Sequence, residues 1–386
     1  MLAGEASGDV LGFRLMQSLM RLRPGLRFAG VGGPRMESLG FVSLFPMRDL
    51  AVMGLAEVLP RLRSLGRRLD EAVADIGARR PDLVVTIDSP GFALRLLARI
   101  RPLGVPRLHY VAPQVWAWRE SRVRKFPGLW ERLLCLLPFE EAFFARHGLP
   151  VRFVGHPVLQ SGAGSGDAAR FRARHGVAGN APVLVLMPGS RRTEAPRLLP
   201  VFGRTVALLA EDFPGLVPVI PSSPAVAELV AQAAQGWAIK PLVLTDVDDK
   251  HDAYAAAGAA LTKSGTSTLE LALARVPMAV TYRVNPVTAA LARRLIRVEH
   301  VAMVNLLAGR KIVPELLQQD CRPELLRRTV RSLLTDAGAA ETQRAAFGAV
   351  MAGLAAPEGL PSDAAAIAVL EMLQKGLLGG SVQTTR

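Results

Sequence analysis

LVVTIDSPGFALRLLARI, residues 83–100, is the stretch that decides the fold. A short apolar run stops at Asp88, Ser89-Pro90-Gly91 ends it, and a helical stretch follows over 91–101. A strand-length apolar run that passes through a turn into a helix is one step of an alternating α/β chain. The same step recurs on both sides. Strands are predicted at RFAGVGG (27–33), RLHYVAP (107–113), LLCLLPF (133–139) and VRFVGHP (151–157), with helices over 12–22 and 55–76 between them. SGAGSGD (161–167) is small, polar and flexible, and reads as a linker. The alternation then restarts at VLVLMPGS (183–190), LVPVIPSS (216–223), PLVLTD (241–246), AALTKSG (259–265) and PMAVTYR (277–283).

The expected architecture is α/β: two Rossmann-like domains, each a parallel sheet wrapped by helices, facing one another across a cleft. The boundaries are 1–160, a linker at 161–170, and 171–386, with the terminal helices packing back on the first domain. Ligands in such sheets bind beyond the carboxyl ends of the strands. The loop GEASGD (4–9) should follow a strand, yet only Met1, Leu2 and Ala3 precede it. That predicts either a very short first strand or a start that lies upstream.

Composition narrows the class. Half of the 386 residues are hydrophobic and 21% are charged, as in an ordinary folded chain. No apolar stretch reaches the roughly 18–20 residues that span a bilayer, and the first ten residues lack signal-peptide regions, so the expectation is cytoplasmic. The net charge of +14 comes mostly from arginine, since only six lysines occur. These arginines are scattered and only three tyrosines accompany them, whereas single-strand binding needs aromatics interleaved with the charge. Nucleic acid is therefore not the expected partner; anionic lipid or a phosphorylated substrate is. Cys135 and Cys321 lie far apart, and no Cys/His spacing suggests a metal site or a disulfide framework.

LTKSGTSTLELALA (261–274) takes a strand through Ser264, Gly265 and Thr266 into a helix, a pattern that offers backbone amides to an anion. Glu270 then stands one turn on, placed to accept from a ribose diol or, as an alternative, to close a capping box with Ser267. MPGSRRTE (187–194) closes another strand with a tight turn, where Gly189, Ser190 and Arg191 suit a diphosphate or form a solvated turn. Asp88 is either a base for a hydroxyl or the cap of its own turn. HYVAPQVWAWR (109–119) lines a pocket or is packing, and His109 and His156 read as structural imidazoles. In AVMGLAEVLPRLRSLGRRL (51–69), Pro60 is expected to interrupt a helix. Val52, Met53, Leu55, Val58 and Leu59 beside Arg61, Arg63, Arg67 and Arg68 form either a membrane-interface element or a helix packed on the core.

Taken together the chain resembles the lipid-A-disaccharide synthase family. The resemblance rests on GEASGD (4–9), GVGGPRM (30–36), LAVMGLAEVL (50–59), TIDSPGF (86–92), HYVAPQVWAWR (109–119), LPFE (137–140), GHP (155–157), MPGSR (187–191), KSGTSTLE (263–270) and NLLAGRKIVPELLQ (305–318). It implies a GT-B, inverting, metal-independent glycosyltransferase without a cofactor, whose donor nucleotide sits in the C-terminal half. The substrates implied are UDP-2,3-diacylglucosamine and 2,3-diacylglucosamine 1-phosphate, joined β-1,6 with release of UDP. Asp88 matches the family's IDxPxF aspartate and is the expected base for the acceptor 6-hydroxyl, and Arg191 matches the PGSR arginine, expected at the donor diphosphate. Gly189, Ser190, Ser264, Gly265, Thr266 and Glu270 fall on the UDP-sugar segments, Asn305 is expected on the nucleotide side, and Ser7 and Gly8 face the transferred sugar. Where many family members carry a second acidic residue this chain has Gly91, which leaves Asp88 the stronger candidate. Acylated substrates imply peripheral docking on the cytoplasmic face of the inner membrane through Val52, Met53, Leu55, Val58, Leu59 and Arg61. A homodimer is among the assemblies allowed. The alternative is another GT-B chemistry, a UDP-N-acetylglucosamine 2-epimerase or a lipid II-forming transferase.

Overall fold

The computed structural model describes residues 1–50, 55–118, 120–191, 194–285 and 298–380, without the side chains of 55–62 and 375–380. The chain forms two compact units. One is Met1–Pro157 together with the segment from Leu354 onward, and the other is Val158–Gly353.

The first unit holds β1 (Leu2–Ala3), β2 (Val84–Ile87), β3 (Arg107–Tyr110), β4 (Arg132–Cys135) and β5 (Val151–Phe153), all parallel and in that spatial order. Its helices are α1 (Ala6–Leu22), α2 (Pro34–Glu37), α3 (Leu55–Arg79), α4 (Pro90–Ile100) and α5 (Pro138–Ala145). Every residue of β2 and β3 is buried. A sheet covered on both faces requires that, and it explains why residues 83–88 read as an almost continuous apolar run. Leu96, Leu97, Ile100 and Leu133 pack on one face, while Leu15, Leu19, Val85 and Leu108 pack on the other.

Two sequence expectations need correction here. RFAGVGG does not form a sheet strand; it contributes only isolated parallel bridges, Leu2 with Val31 and Gly30 with Ser43. Gly30 has φ +130°, outside the strand region. Val31 still lies beside β1, with Ala3 N donating to Val31 O at 2.9 Å and Val31 N to Met1 O at 3.0 Å. In addition, α3 runs through Pro60 unbroken. A proline in the second turn forfeits one amide donor and need not end a helix whose remaining turns pack on the core. Leu69 and Ala72 of α3 are buried.

The second unit contains β6 (Val183–Met187), β7 (Val217–Pro221), β8 (Leu242–Leu244), β9 (Ala257–Lys263), β10 (Met278–Tyr282) and β11 (Glu315–Leu317). They are parallel, in the order β11-β10-β9-β6-β7-β8. Helices α6 (Ala168–His175), α7 (Ala195–Asp212), α8 (Pro224–Ala234), α9 (Val247–Ala256), α10 (Ser267–Leu273), α11 (Met303–Ala308), α12 (Pro323–Thr335) and α13 (Ala337–Gly353) cover it. Along β6, Leu184 and Leu186 join one core cluster and Val183 the other, the two-residue alternation of a sheet with two packed faces. The short β11 carries no strand signature of its own in the sequence.

The boundary between the units falls at Pro157, and residues 161–170 are not a free linker. Gly166 lies so close to α9 that a Cβ there would stand 1.9 Å from His251 O. Asp167 N donates to Asp252 at 2.7 Å, and the Arg170 guanidinium pairs with both oxygens of that carboxylate at 2.5 and 2.6 Å. The glycines that read as flexibility serve close packing instead. The last helix, α14 (Pro361–Gly380), returns to the first unit, where Ser18 Oγ bonds to Ser362 Oγ at 3.1 Å. Ala364, Ala365, Ala366 and Ala368 share a buried cluster with Leu11, Leu15 and Leu19 of α1.

Candidate active site

In open parallel sheets of this kind ligands bind beyond the carboxyl ends of the strands, where the strand order reverses. In the first unit β1 has Val31 on one side and β2 on the other. The loops leaving β1 and β2 carry Ser7 and Asp88. Ser7 Oγ donates to Asp88 Oδ2 at 3.2 Å. Asp88 Oδ1 accepts from Ser89 N at 2.8 Å, while Asp88 N donates to Tyr110 O at 2.9 Å. The capping and catalytic readings of Asp88 are thus compatible, because a carboxylate has about four acceptor positions and two are in use. Gly8 follows Ser7 in the first turn of α1 and is buried.

Backbone strain collects at this edge. Asp88 (φ +54°), Ser89 (φ +47°) and Val111 (φ +82°) all adopt left-handed conformations at the ends of β2 and β3. Non-glycine residues held there cost about 1–3 kcal/mol each and cluster at sites whose geometry the surrounding fold enforces. The Asp88 carboxylate is half-buried. Behind it, Asp9 accepts from Gly33 N, Arg35 N and Met36 N at 2.9, 2.9 and 3.1 Å, tying GEASGD to GVGGPRM.

In the second unit the order reverses between β6 and β9. Those two strands end in the two segments singled out for phosphate, Gly189-Ser190-Arg191 and Lys263-Ser264-Gly265-Thr266. Gly189 takes φ +110°, which a side chain would resist. Arg191 is half exposed, and its Nη1 donates to Glu194 Oε1 at 3.0 Å. Lys263 Nζ donates to the same oxygen at 2.9 Å. Glu194 therefore joins the two turns, a role that its reading as part of a solvated turn missed.

The KSGTSTLE segment differs from expectation in detail. Ser264 Oγ is committed to Val301 O at 2.6 Å, and Ser267 Oγ lies 3.0 Å from Thr262 Oγ1. What remains for an anion is the exposed Thr266 and the amide of Ser267, since Thr268 N donates to Gly265 O at 3.1 Å and Leu269 N to Thr266 O at 3.0 Å. Glu270 closes no capping box: it accepts from Lys250 Nζ at 3.1 and 3.2 Å and from Tyr254 OH at 3.1 Å. These three bonds fix its carboxylate and leave about one acceptor position open.

Asn305 requires a correction. It is fully buried; its Nδ2 donates to Val313 O and Glu315 Oε1, and its Oδ1 accepts from Ile312 N and Val313 N, at 2.8–3.0 Å. No hydrogen-bonding position is left for a nucleotide. Glu315 also accepts from Val301 N and Ala302 N at 3.1 and 3.0 Å, and Val301 is the partner of Ser264. The NLLAGRKIVPELLQ segment thus braces the Ser264 turn from behind.

The remaining candidates are structural. His109 is completely buried beside Thr86 Oγ1 at 2.8 Å, and burial lowers its pKa to about 4; burial does the same to His156. In HYVAPQVWAWR, Trp116 Nε1 donates to the buried Glu140 at 2.9 Å, which links this loop to LPFE. Trp118 is exposed. Of the proposed membrane contacts, Val52 and Met53 lie outside the described residues, as do the side chains of Leu55, Val58, Leu59 and Arg61. Arg68 does not belong to a free basic rim, since it pairs with Asp49 and Glu71, both at 2.7 Å. A cavity of about 740 Å³ bordered by Met1, Phe28, Arg79 and Leu83 opens at the amino ends of β1 and β2, the wrong edge of the sheet for this chemistry. Among the described residues no His/Cys/Asp/Glu group could hold a metal ion, and no helix is long and apolar enough to cross a membrane.

Residues 1–356 match the family model described as lipid-A-disaccharide synthetase. The lipid-A-disaccharide synthase of Gluconobacter oxydans (strain 621H) is 64% identical over 97% of this chain and 90% of its own. That of Granulibacter bethesdensis (strain ATCC BAA-1260 / CGDNIH1) is 62% identical over 96% of this chain and 97% of its own. Among solved structures, an S. aureus MnaA–UDP co-structure superposes with a TM-score of 0.63 at 14% identity, covering 97% of this chain and 95% of the other. At that identity the likeness shows the fold alone.

Proposed function

The chain belongs to the lipid-A-disaccharide synthetase family, and from that premise we propose that it joins UDP-2,3-diacylglucosamine to 2,3-diacylglucosamine 1-phosphate. It is a glycosyltransferase of GT-B fold; the substrates and the residue roles are the proposal. Asp88 removes the proton of the acceptor 6-hydroxyl while that oxygen forms its bond to the donor's anomeric carbon. The bond from that carbon to the diphosphate breaks, UDP leaves with the electron pair, and the anomeric centre inverts to a β-1,6 linkage. Asp88 then loses the proton to water. The observation that carries this reading is the Ser7–Asp88 hydrogen bond between the loops that leave β1 and β2, where Asp88 holds a half-buried carboxylate on a left-handed backbone.

On the leaving side, Arg191, the Gly189-Ser190 turn, Thr266 and the amide of Ser267 take up the charge that develops on UDP. Donors fixed in place before the reaction need no reorganisation as that charge grows. Glu270 receives the ribose diol. Asn305 acts through Glu315 and Val301 on the Ser264 turn rather than on the nucleotide. These side chains and amides stabilise the leaving group, so the reaction is expected to proceed without a metal ion. The protein works peripherally on the cytoplasmic face of the inner membrane, because each acyl CH2 moved into water costs about 0.8 kcal/mol. Residues 51–69 are the expected landing surface.

The test is mass spectrometry of products from the purified protein, both acylated sugars and excess EDTA. A disaccharide monophosphate with equimolar UDP is expected. UDP formed without acylated acceptor would favour the epimerase alternative. Product that appears only when Mg²⁺ is restored would remove the metal-independent part of the proposal.

A further inference from the structure

A cavity of about 170 Å³ lies beyond Glu194, between the carboxyl ends of β9 and β10 and the first turn of α7. Its polar lining is Glu194, Arg197, Lys263, Tyr282 and Arg283, three cations against one carboxylate. Lys263 Nζ stands 5.4 Å over the Tyr282 ring, and the half-buried phenol has Arg191 and Arg197 near enough to oppose the rise in its pKa. Arg197 and Arg283 have no carboxylate at ion-pair distance among the described residues. Guanidinium groups without counter-charge, gathered around a small cavity with a phenol donor, recognise an oxyanion. The volume equals about five or six waters, which fits one phosphoryl group.

The cavity is distinct from the diphosphate turn. Arg191 does not line it, and Glu194 stands between the two with one oxygen shared by Arg191 and Lys263. Two anions brought close together in a low-dielectric site repel strongly unless each meets its own cations. The proposed reaction brings two anionic groups into one active site, because the acceptor carries a phosphate of its own, at the end of its sugar away from the attacking 6-hydroxyl. We propose that this cavity binds the acceptor's 1-phosphate, with Arg197, Lys263 and Arg283 as cations and Tyr282 OH as a further donor. The inference rests on the reading of the acceptor as a sugar 1-phosphate. It makes the cavity the feature that distinguishes phosphorylated from unphosphorylated acceptor.

Arg197 and Arg283 are exposed, so Arg197→Gln/Arg283→Gln should fold like the parent. Calorimetric titration in detergent would compare both proteins for diacylglucosamine 1-phosphate, unphosphorylated diacylglucosamine and UDP. The dissociation constant for the phosphorylated acceptor should rise roughly 10- to 100-fold in the variant, the range for lost charge-assisted contacts. Those for the unphosphorylated acceptor and for UDP should stay unchanged. A weakened UDP affinity would assign the cavity to the donor diphosphate and overturn the proposal, as would an unaltered preference for the phosphorylated acceptor. Disaccharide formation by the parent, measured alongside, separates the two claims: its absence counts against the reaction, whereas its presence with unaltered preference overturns the cavity assignment alone.

Discussion

Asp88 is held at three points: its backbone amide by Tyr110 O, one carboxylate oxygen by the next amide and the other by Ser7. The Ser7 hydrogen bond is partly solvated, so its loss should cost about 1 kcal/mol and lower kcat roughly fivefold to tenfold. Ser7→Ala is expected to show that loss alone and none in an Asp88→Asn background, where steady-state kinetics of the double variant would read the coupling. Equal losses in both backgrounds would mean that Ser7 acts elsewhere. Asn305→Ala has a different signature. It strands buried partners around Val313 and Glu315 at about 1–3 kcal/mol for each unsatisfied group, so the unfolding midpoint should fall together with UDP affinity. The identity of these residues was legible in short motifs. The split between contact and bracing was not, because a buried Asn with all four hydrogen bonds satisfied looks in sequence like one that faces a ligand.

At the scale of elements, the sequence pattern revealed most strands and their order along the chain, because fully buried strands leave unbroken apolar runs between turn residues. It could not reveal the spatial order β11-β10-β9-β6-β7-β8, and that order brings Arg191 beside Lys263 and Ser264. Two elements misled for physical reasons. RFAGVGG has strand composition but a glycine at positive φ, and SGAGSGD has linker composition but glycines needed for contact. The second case makes a sharp prediction. Gly166→Ala would force a methyl group to within 1.9 Å of His251 O, so the second unit should lose about 1–3 kcal/mol by the overpacking scale. Urea denaturation followed through Trp237 would report it; an unchanged midpoint would mean that the segment is as free as its composition implies.

For the molecule as a whole, stability on acidification depends in part on three buried side chains of the first unit. Burial lowers His109 and His156 from 6.5 to about 4 and raises Glu140 from 4.5 to about 7. The histidines contribute stability that is complete above pH 6.5 and is lost as pH falls toward 4. Glu140 acts in the opposite sense, its contribution being complete below pH 4.5 and lost as pH rises through 7. Between 6.5 and 4.5 the unfolded chain therefore takes up about one proton more than the native one, and stability should fall by about 1.4 kcal/mol per pH unit on acidification. Glu140→Gln should steepen that slope, which urea midpoints at pH 6.5 and 5.0 would show. Charging Met53 and Leu55 should reduce binding to anionic vesicles while UDP affinity holds; unchanged vesicle binding would remove residues 51–69 as the landing surface. The central claim, that Asp88 is the base of a sugar transfer, is tested most directly by Asp88→Asn assayed for disaccharide turnover and for UDP binding in the same preparation. The account predicts that kcat falls at least about 100-fold, as for loss of a general base, with UDP affinity unchanged. Turnover close to that of the parent would contradict it.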